Sequence, residues 1–355
     1  MHRLRLARGD DLGRILEIIE GARKFLGVQG LPQWQGENGP SPALISGQIK
    51  NSEGYVLEEN NATTMQATVH GYAALVPGLD NSYENIDGKW AKGRGPYLVI
   101  HTVAIDAKVR GKRYGSSMLA LLSEQAQALG FRDVRLDTHP GNIIMQRVIA
   151  TCGFFYCGEI MLDIPNGVRS AYQLLYALDP TKPNVRLASE DDAEAACEAI
   201  ESAREFLARR GSLQWQGGYG PGPEDVYEGI RLRNAFVLED FKAGICGYAS
   251  LDPGPDSDYN TISSGSWNDS HTEYSVINNV AIHSSGRGHG YCTALISGIL
   301  QAARARGYKD IRSCTRAENI LMCKCFEKMG FVKQGDMRLD IPNGERIAYQ
   351  LVDNF

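Results

Sequence analysis

At 355 residues the chain is long for one compact domain and comfortable for two, and 43% hydrophobic with 22% charged residues is the makeup of a soluble globular protein. A formal net charge of −5 without a basic tail argues against non-specific binding to nucleic acid. The opening MHRLRLARGDD is too polar for a secretory signal and no apolar run approaches a membrane span, which predicts a cytoplasmic protein.

The first half opens on a short strand, Leu4-Arg5-Leu6, followed by a helix that Asp10-Asp11 caps ahead of Leu12, Ile15, Leu16 and Ile19. A loop carrying Gln33-Trp34-Gln35-Gly36 leads into a second helix, and two strands, Gly54 to Glu58 and Val69 to Val76, form a hairpin. The run Leu98-Val99-Ile100 and Val103-Ala104-Ile105, interrupted only by His101 and Thr102, predicts a buried strand. It ends in a basic, glycine-containing turn, Arg110 to Ser116, and a helix with Met118, Leu119, Leu121 and Leu122 at helical spacing. A strand at Val134 to Asp137, a short helix ending before Gly153-Phe154, and two closing strands joined at Pro165-Asn166-Gly167 complete the half. Asp179-Pro180-Thr181-Lys182-Pro183-Asn184 is a linker, because paired prolines stop strand and helix alike.

The same order then repeats. Val185 to Asp192 answers Leu4 to Asp11, Gln214-Trp215-Gln216-Gly217 answers the first Gln-Trp-Gln loop, and Tyr274 to Leu300 answers the central strand, turn and helix 177 residues earlier. At the far end LDIPNGVRSAYQLL, from Leu162, and LDIPNGERIAYQLV, from Leu339, agree at eleven of fourteen positions. The division predicts two domains, 1–179 and 184–355, each of α/β (α+β) class with a mixed, mostly antiparallel sheet flanked by helices. The eight cysteines do not recur at matching positions, which fits scattered reduced thiols better than a disulfide framework. Cys323-Lys324-Cys325 lacks zinc-site spacing and a partner pair, and no metal is expected.

A strand, a basic turn and a helix offer free backbone N–H groups and a positive dipole end to an anion, usually phosphate. Neither half has the spacing of a Walker loop, and Gly286-Arg287-Gly288-His289-Gly290 has the wrong spacing for a dinucleotide fingerprint. The pattern that fits is Arg or Gln, two residues, Gly, one residue, then Gly or Ala. Each half departs once: Arg113 stands where Gly is usual, and Cys292 replaces the small last residue.

On these residues, and on the order of elements in nearly all of both halves, the chain resembles the GCN5-related N-acetyltransferases, the GNAT family. The resemblance implies a tandem duplicated GNAT fold and acetyl-coenzyme A as cofactor. It places Val103, Ala104 and Ile105 beside the pantetheine arm, and Arg110, Gly111, Lys112, Arg113, Tyr114, Gly115 and Ser116 around the pyrophosphate. In the second half the corresponding residues are Val280, Ala281 and Ile282, then Arg287, Gly288, His289, Gly290, Tyr291, Cys292 and Thr293. Asn142 and Asn319 match the asparagine that often starts the coenzyme-facing helix. The family's frequent tyrosine acid, seven residues further on, is Ile149 in one half and Phe326 in the other. A thiol with a reference pKa of about 8.5 leaves acceptably without one.

His101 interrupts an apolar strand, so it reads either as a hydrogen-bonded core histidine or as the base of the reaction. His139 at the end of the next strand is either a second catalytic candidate or a loop cap. The second half has Asn278 and Arg316 at these two places. Trp34 and Gln35 are candidates for the acceptor site, with core packing as the alternative for the tryptophan. The expected function is transfer of an acetyl group from acetyl-coenzyme A to a primary amine of a small molecule or peptide, with strand amides near Ala104 or Ile105 holding the oxyanion. The competing reading is a non-catalytic acyl-coenzyme A-binding or sensing protein. The two halves are expected to pack as an internal pseudo-dimer, with neither nucleic acid nor membrane as partner.

Overall fold

In the computed structural model, residues 2–60, 67–78, 81–93, 95–260, 262–268 and 271–353 are described. The chain divides into two compact units, Met1–Gln127 with Phe131–Tyr176 and Ala128–Gly130 with Ala177–Phe355. The first unit runs β1 (His2–Leu6), α1 (Leu12–Val28), α2 (Pro42–Lys50), β2 (Gly54–Asn60), β3 (Ala67–Pro77), β4 (Ile86–Gly88), β5 (Tyr97–Ile105), α3 (Tyr114–Ala128), β6 (Asp133–Thr138), α4 (Ile143–Thr151), β7 (Phe155–Met161) and β8 (Val168–Leu175). The second repeats it as β9 (Asn184–Leu187), α5 (Ala193–Arg209), α6 (Pro223–Arg231), β10 (Ala235–Asp240), β11 (Gly244–Pro253), β12 (Ser264–Gly265), β13 (Tyr274–Ile282), α7 (Tyr291–Ala305), β14 (Asp310–Thr315), α8 (Ile320–Lys328), β15 (Val332–Arg338) and β16 (Glu345–Val352). No helix among the described residues is long and apolar enough to cross a membrane.

Each unit is built on one eight-stranded sheet, in the order β1-β2-β3-β5-β6-β8-β7-β4 and β9-β10-β11-β13-β14-β16-β15-β12. All neighbours are antiparallel except β5 with β6 and β13 with β14. Those two parallel pairs are short. β5 stays beside β6 only from Tyr97–Asp133 to Ile100–Leu136, although both strands continue. In the second unit the last pair is Val276–Arg312. The sheet therefore opens into a wedge at the C-terminal ends of its two central strands.

The wedge coincides with a bulge. His101 pairs with Ala74 and Ala104 with Tyr72, so Thr102 and Val103 together face Ala73. Thr102 sits at φ +57°, a left-handed conformation in which a β-branched residue is strained. Asn279, at φ +57°, does the same in β13, between the pairs Ser250–Asn278 and Tyr248–Ala281.

The apolar stripe of α1 (Ile15, Ile18, Ile19, Ala22) packs with Ile45 of α2 on Val56, Tyr72 and Ala104 of the sheet. The buried Tyr72 hydroxyl donates to Gln48 (2.8 Å), and Gly54 makes room for it, because a Cβ there would lie 2.9 Å from that oxygen. The second unit uses Ala193, Ala196, Ile200 and Ala203 of α5 in the same way.

An ion network, buried in the second unit and half-buried in the first, ties the first strand of each unit to its first helix. Arg186 donates to both oxygens of Asp192 (2.7 Å each) and to Glu239 (2.9 Å), with 3% of its surface exposed. Asp192→Ala is expected to cost about 3–5 kcal/mol, because it strips a buried cation of its bidentate partner. The drop is read as a lower denaturant midpoint. Asp11→Ala, at the equivalent but wetter Arg5 (side chain 19% exposed), should cost less. Burial raises the Asp192 pKa, but its bonds to Arg186 and Ser189 outweigh that and hold it below the usual carboxylate value. Its contribution to stability is thus full above about pH 4 and is lost as the pH falls through the folded-state pKa.

Candidate active site

A cavity of about 870 Å³ fills the wedge of the first unit. His101, Thr102, Val103 and Ile105 of β5 line it on one side, and Leu136, Asp137 and Thr138 of β6 on the other. Phe25 of α1 and the loop residues Gln33 and Trp34 close one flank; Asn142, Ile144, Met145 and Val148 close another. The turn contributes Arg110, Gly111, Arg113, Tyr114, Gly115 and Ser116 at one end.

Backbone hydrogen bonding decides which strand amides this cavity meets. The Asp106 N–H donates to the His70 carbonyl (2.8 Å), next to the facing pair Ile105–Gly71. In an antiparallel ladder directly opposed pairs alternate between bonded and unbonded. The Ala104 amide is therefore spent on Tyr72, and the Ile105 amide turns away from β3 toward the gap that β6 has left. Ala104 is also buried in the core beneath α1 and does not line the cavity. Of the three residues the resemblance set beside the pantetheine arm, Val103 and Ile105 line the cavity and Ala104 does not.

The turn is made of left-handed residues, Gly111 (φ +78°) and Arg113 (φ +65°), ahead of the α3 N-terminus. In the second unit both places are glycine, Gly288 (φ +81°) and Gly290 (φ +77°). The Cβ of Arg113 in this region costs about 1–2 kcal/mol that glycine avoids. Consecutive amides at a helix start suit a pyrophosphate, and the apolar wedge with one inward amide suits a pantetheine chain. Lys112 lies outside the cavity lining. The Tyr114 hydroxyl bonds to Glu59, as Tyr291 does to Asp240 (2.7 Å).

Arg110 lines the cavity and also bonds to the first helix. Its Nη2 donates to the Gly21 carbonyl (3.0 Å), and its guanidinium lies 3.9 Å from the Phe25 ring centroid. Arg287 repeats this on the Ser202 carbonyl (2.6 Å) and Phe206 (4.5 Å). The arginine thus pins the turn to the first helix of its unit. Arg110→Ala should lower unliganded stability by about 1–2 kcal/mol, the sum of one hydrogen bond and one cation–π contact. Coenzyme A affinity should fall with it, through a loosened turn. Unchanged melting temperature with weakened binding would instead assign the guanidinium to the phosphates.

At the other end of the cavity stand two charged groups, Asp137 and Arg169, that the sequence does not mark as site residues. The Tyr83 hydroxyl donates to Asp137 (2.7 Å), and Arg169 of β8 lies 3.7 Å from the same carboxylate. Asp137, Arg169 and His101 all line the cavity, and the His101 ring is edge-on to Tyr83 with centroids 6.2 Å apart. His139 is placed differently: its Nδ1 accepts from the Gly141 N–H (3.0 Å), and it does not line the cavity. Burial, then the charge of Arg169, lowers its pKa. Trp34 lines the cavity at φ +61°, whereas Gln35 is turned away, donating to the carbonyls of Arg23 (3.0 Å) and Gln33 (3.1 Å). Gln33 takes the inward place and accepts from Asn142 (3.2 Å), which caps α4 through the Met145 N–H (3.1 Å).

The second unit has the same wedge, with cavities of about 660 and 400 Å³ meeting at Trp215, Asn279, Leu339 and Arg346. Val280, Ile282, Arg287, Gly288, Gly290, Tyr291, Cys292, Thr293 and Asn319 line the larger one. Ala281 is buried in the core like Ala104, and His289 stands outside, its ring 5.7 Å from that of Tyr291. Asn278, at the place of His101, donates to Asp252 (3.0 Å), and Cys314 occupies the place of Asp137.

The sequence profile of the acetyltransferase (GNAT) family matches residues 31–154 and again 205–331, together well over half of the chain. The chain belongs to this family, and acetyl-coenzyme A is the family's cofactor. Among solved structures, a GNAT acetyltransferase from Streptococcus agalactiae 2603 is 33% identical with a TM-score of 0.44, the match covering 50% of this chain and 96% of that one. A GNAT acetyltransferase from Listeria monocytogenes 4b F2365 is 17% identical with a TM-score of 0.38, covering 49% and 95%. A protein from Salmonella typhimurium solved with its cofactor acetyl-CoA is 17% identical with a TM-score of 0.37, also covering 49% and 95%. No curated protein matches the chain.

Proposed function

We propose that the first unit acetylates a primary amine of a small molecule or peptide, with His101 as the base. Acetyl-coenzyme A supplies the acyl group as a thioester. The observation that carries the reading is the placing of His101 in the wedge, on the same cavity as the turn and the inward Ile105 amide. His101 takes the proton from the acceptor ammonium, directly or through water. The Ile105 amide supplies a donor where negative charge develops on the carbonyl oxygen. Asp137, held by Tyr83 and Arg169, offers a carboxylate to a cationic acceptor at the β6 wall. Trp34, Leu162 and Ile164 line the acceptor side and keep it apolar.

The test is thiol release from acetyl-coenzyme A in the presence of a panel of primary amines, small and peptidic. Release above hydrolysis that tracks the amine, with the N-acetyl product found by mass, is the expected result. Release that tracks alcohols or thiols would overturn the amine assignment. Coenzyme binding with no release across the panel would favour an acyl-coenzyme A sensor.

A further inference from the structure

Arg169 and Arg346 are repeat partners, and both hold their closing hairpin in the same manner. Nη1 of Arg169 donates to the carbonyls of Asn166 and Val168 (2.8 Å each), and Nη1 of Arg346 to those of Asn343 (3.0 Å) and Glu345 (2.9 Å). The two differ in counter-charge. Arg169 faces Asp137 at 3.7 Å, whereas Arg346 has the cysteine Cys314 at that place and no described carboxylate within 4 Å. The acids nearby in sequence or on the cavity wall are engaged elsewhere. Glu318 pairs with Arg316, Glu345 with Arg338 at 3.6 Å, and Asp225 accepts the Gly222 N–H (2.8 Å) at the start of α6.

Arg346 is only 7% exposed, and it lines both cavities of the second unit where they meet. A buried guanidinium without a counter-ion is costly, and an anion entering from the cavity removes that cost. A planar carboxylate matches the guanidinium fork. We propose that the second unit binds a small carboxylate ligand at the junction of its cavities, with Arg346 as the counter-ion. The carboxylate belongs either to a separate small molecule or to the far end of an acyl group carried on coenzyme A. The first unit, with Asp137 beside Arg169, does not share this preference.

The experiment is titration calorimetry on the full chain with acetate, succinate, glutamate and phenylacetate, each against its neutral amide. Succinyl-coenzyme A is run against acetyl-coenzyme A. Cys314→Asp is the decisive variant, because it copies the first unit's counter-charge and leaves the hairpin bonds of Arg346 in place; Arg346→Gln is the second. At least one carboxylate should bind tenfold or more tightly than its amide, and both variants should lose that preference. A tenfold preference for succinyl-coenzyme A that vanishes in Cys314→Asp assigns the carboxylate to the acyl group. A preference confined to the free acids assigns it to a separate ligand. The proposal fails if no carboxylate outbinds its amide and succinyl-coenzyme A shows no preference, or if the preference survives in folded Cys314→Asp.

Discussion

His101→Ala should slow acyl transfer by about 10²–10⁴, the usual contribution of a positioned general base, while coenzyme A affinity stays within a few-fold. The separation of the two effects follows from geometry. His101 pairs with Ala74 in the ladder through its backbone, which alanine keeps, and the turn at Arg110 to Ser116 lies at the other end of the cavity. Loss of the ring removes an edge contact to Tyr83, but Tyr83 remains stacked on Trp90 (5.7 Å, 8° between planes) and bonded to Asp137. Turnover unchanged in a folded variant would return His101 to a packing role.

Much of this arrangement was legible because it rests on local rules applied twice. An apolar run broken by two residues, a turn with left-handed positions and a helix starting at an aromatic residue recur with the same spacing, and the repeat fixes both units' order of elements. The bulge was not legible. Thr102 carries no signal for a left-handed conformation, because tertiary pairing with Ala73 imposes it. Asn279, a residue that tolerates that region, stands at the same step of the second repeat and was the available hint. β4 and β12 were missed for a related reason. They pair through glycines, Gly88 on Gly158 and Gly265 on Gly335, whose backbones approach too closely for a Cβ, so neither strand shows apolar alternation.

Side-chain direction limited the reading of the site. Every residue of the Gln-Trp-Gln loop looks equally able to face an acceptor, yet Gln33 and Trp34 point inward while Gln35 closes its own loop. Asp137 and Arg169 meet because β6 and β8 are sheet neighbours, with Asp137 paired to Ala171, and sequence distance conceals that. Arg110 carries a contact that its charge does not announce, since a basic residue of the turn also bonds to α1. Charge in a motif locates the site, but partners decide what each charge does there.

Val103→Trp should reduce turnover at least a hundredfold, whereas Val280→Trp should leave it within about twofold. Both valines follow the left-handed residue of their bulge, are half-buried, and line the wedge of their own unit. An indole there fills the space beside the inward amide and blocks a pantetheine arm, so each variant should lose one coenzyme A site in calorimetry. The asymmetry in rate comes from what remains around each wedge. The first has an imidazole beside the cavity and a carboxylate at the β6 wall. The second has Asn278, whose amide donates to Asp252 and cannot take a proton at neutral pH, and Cys314 in place of the carboxylate. Arg316, at the place of His139, is held by Glu318, and a guanidinium has no acceptor for a proton. Acyl transfer is then expected of the first unit alone. If Val280→Trp abolished turnover with the first coenzyme site still filled, or Val103→Trp spared it, the two units would exchange roles.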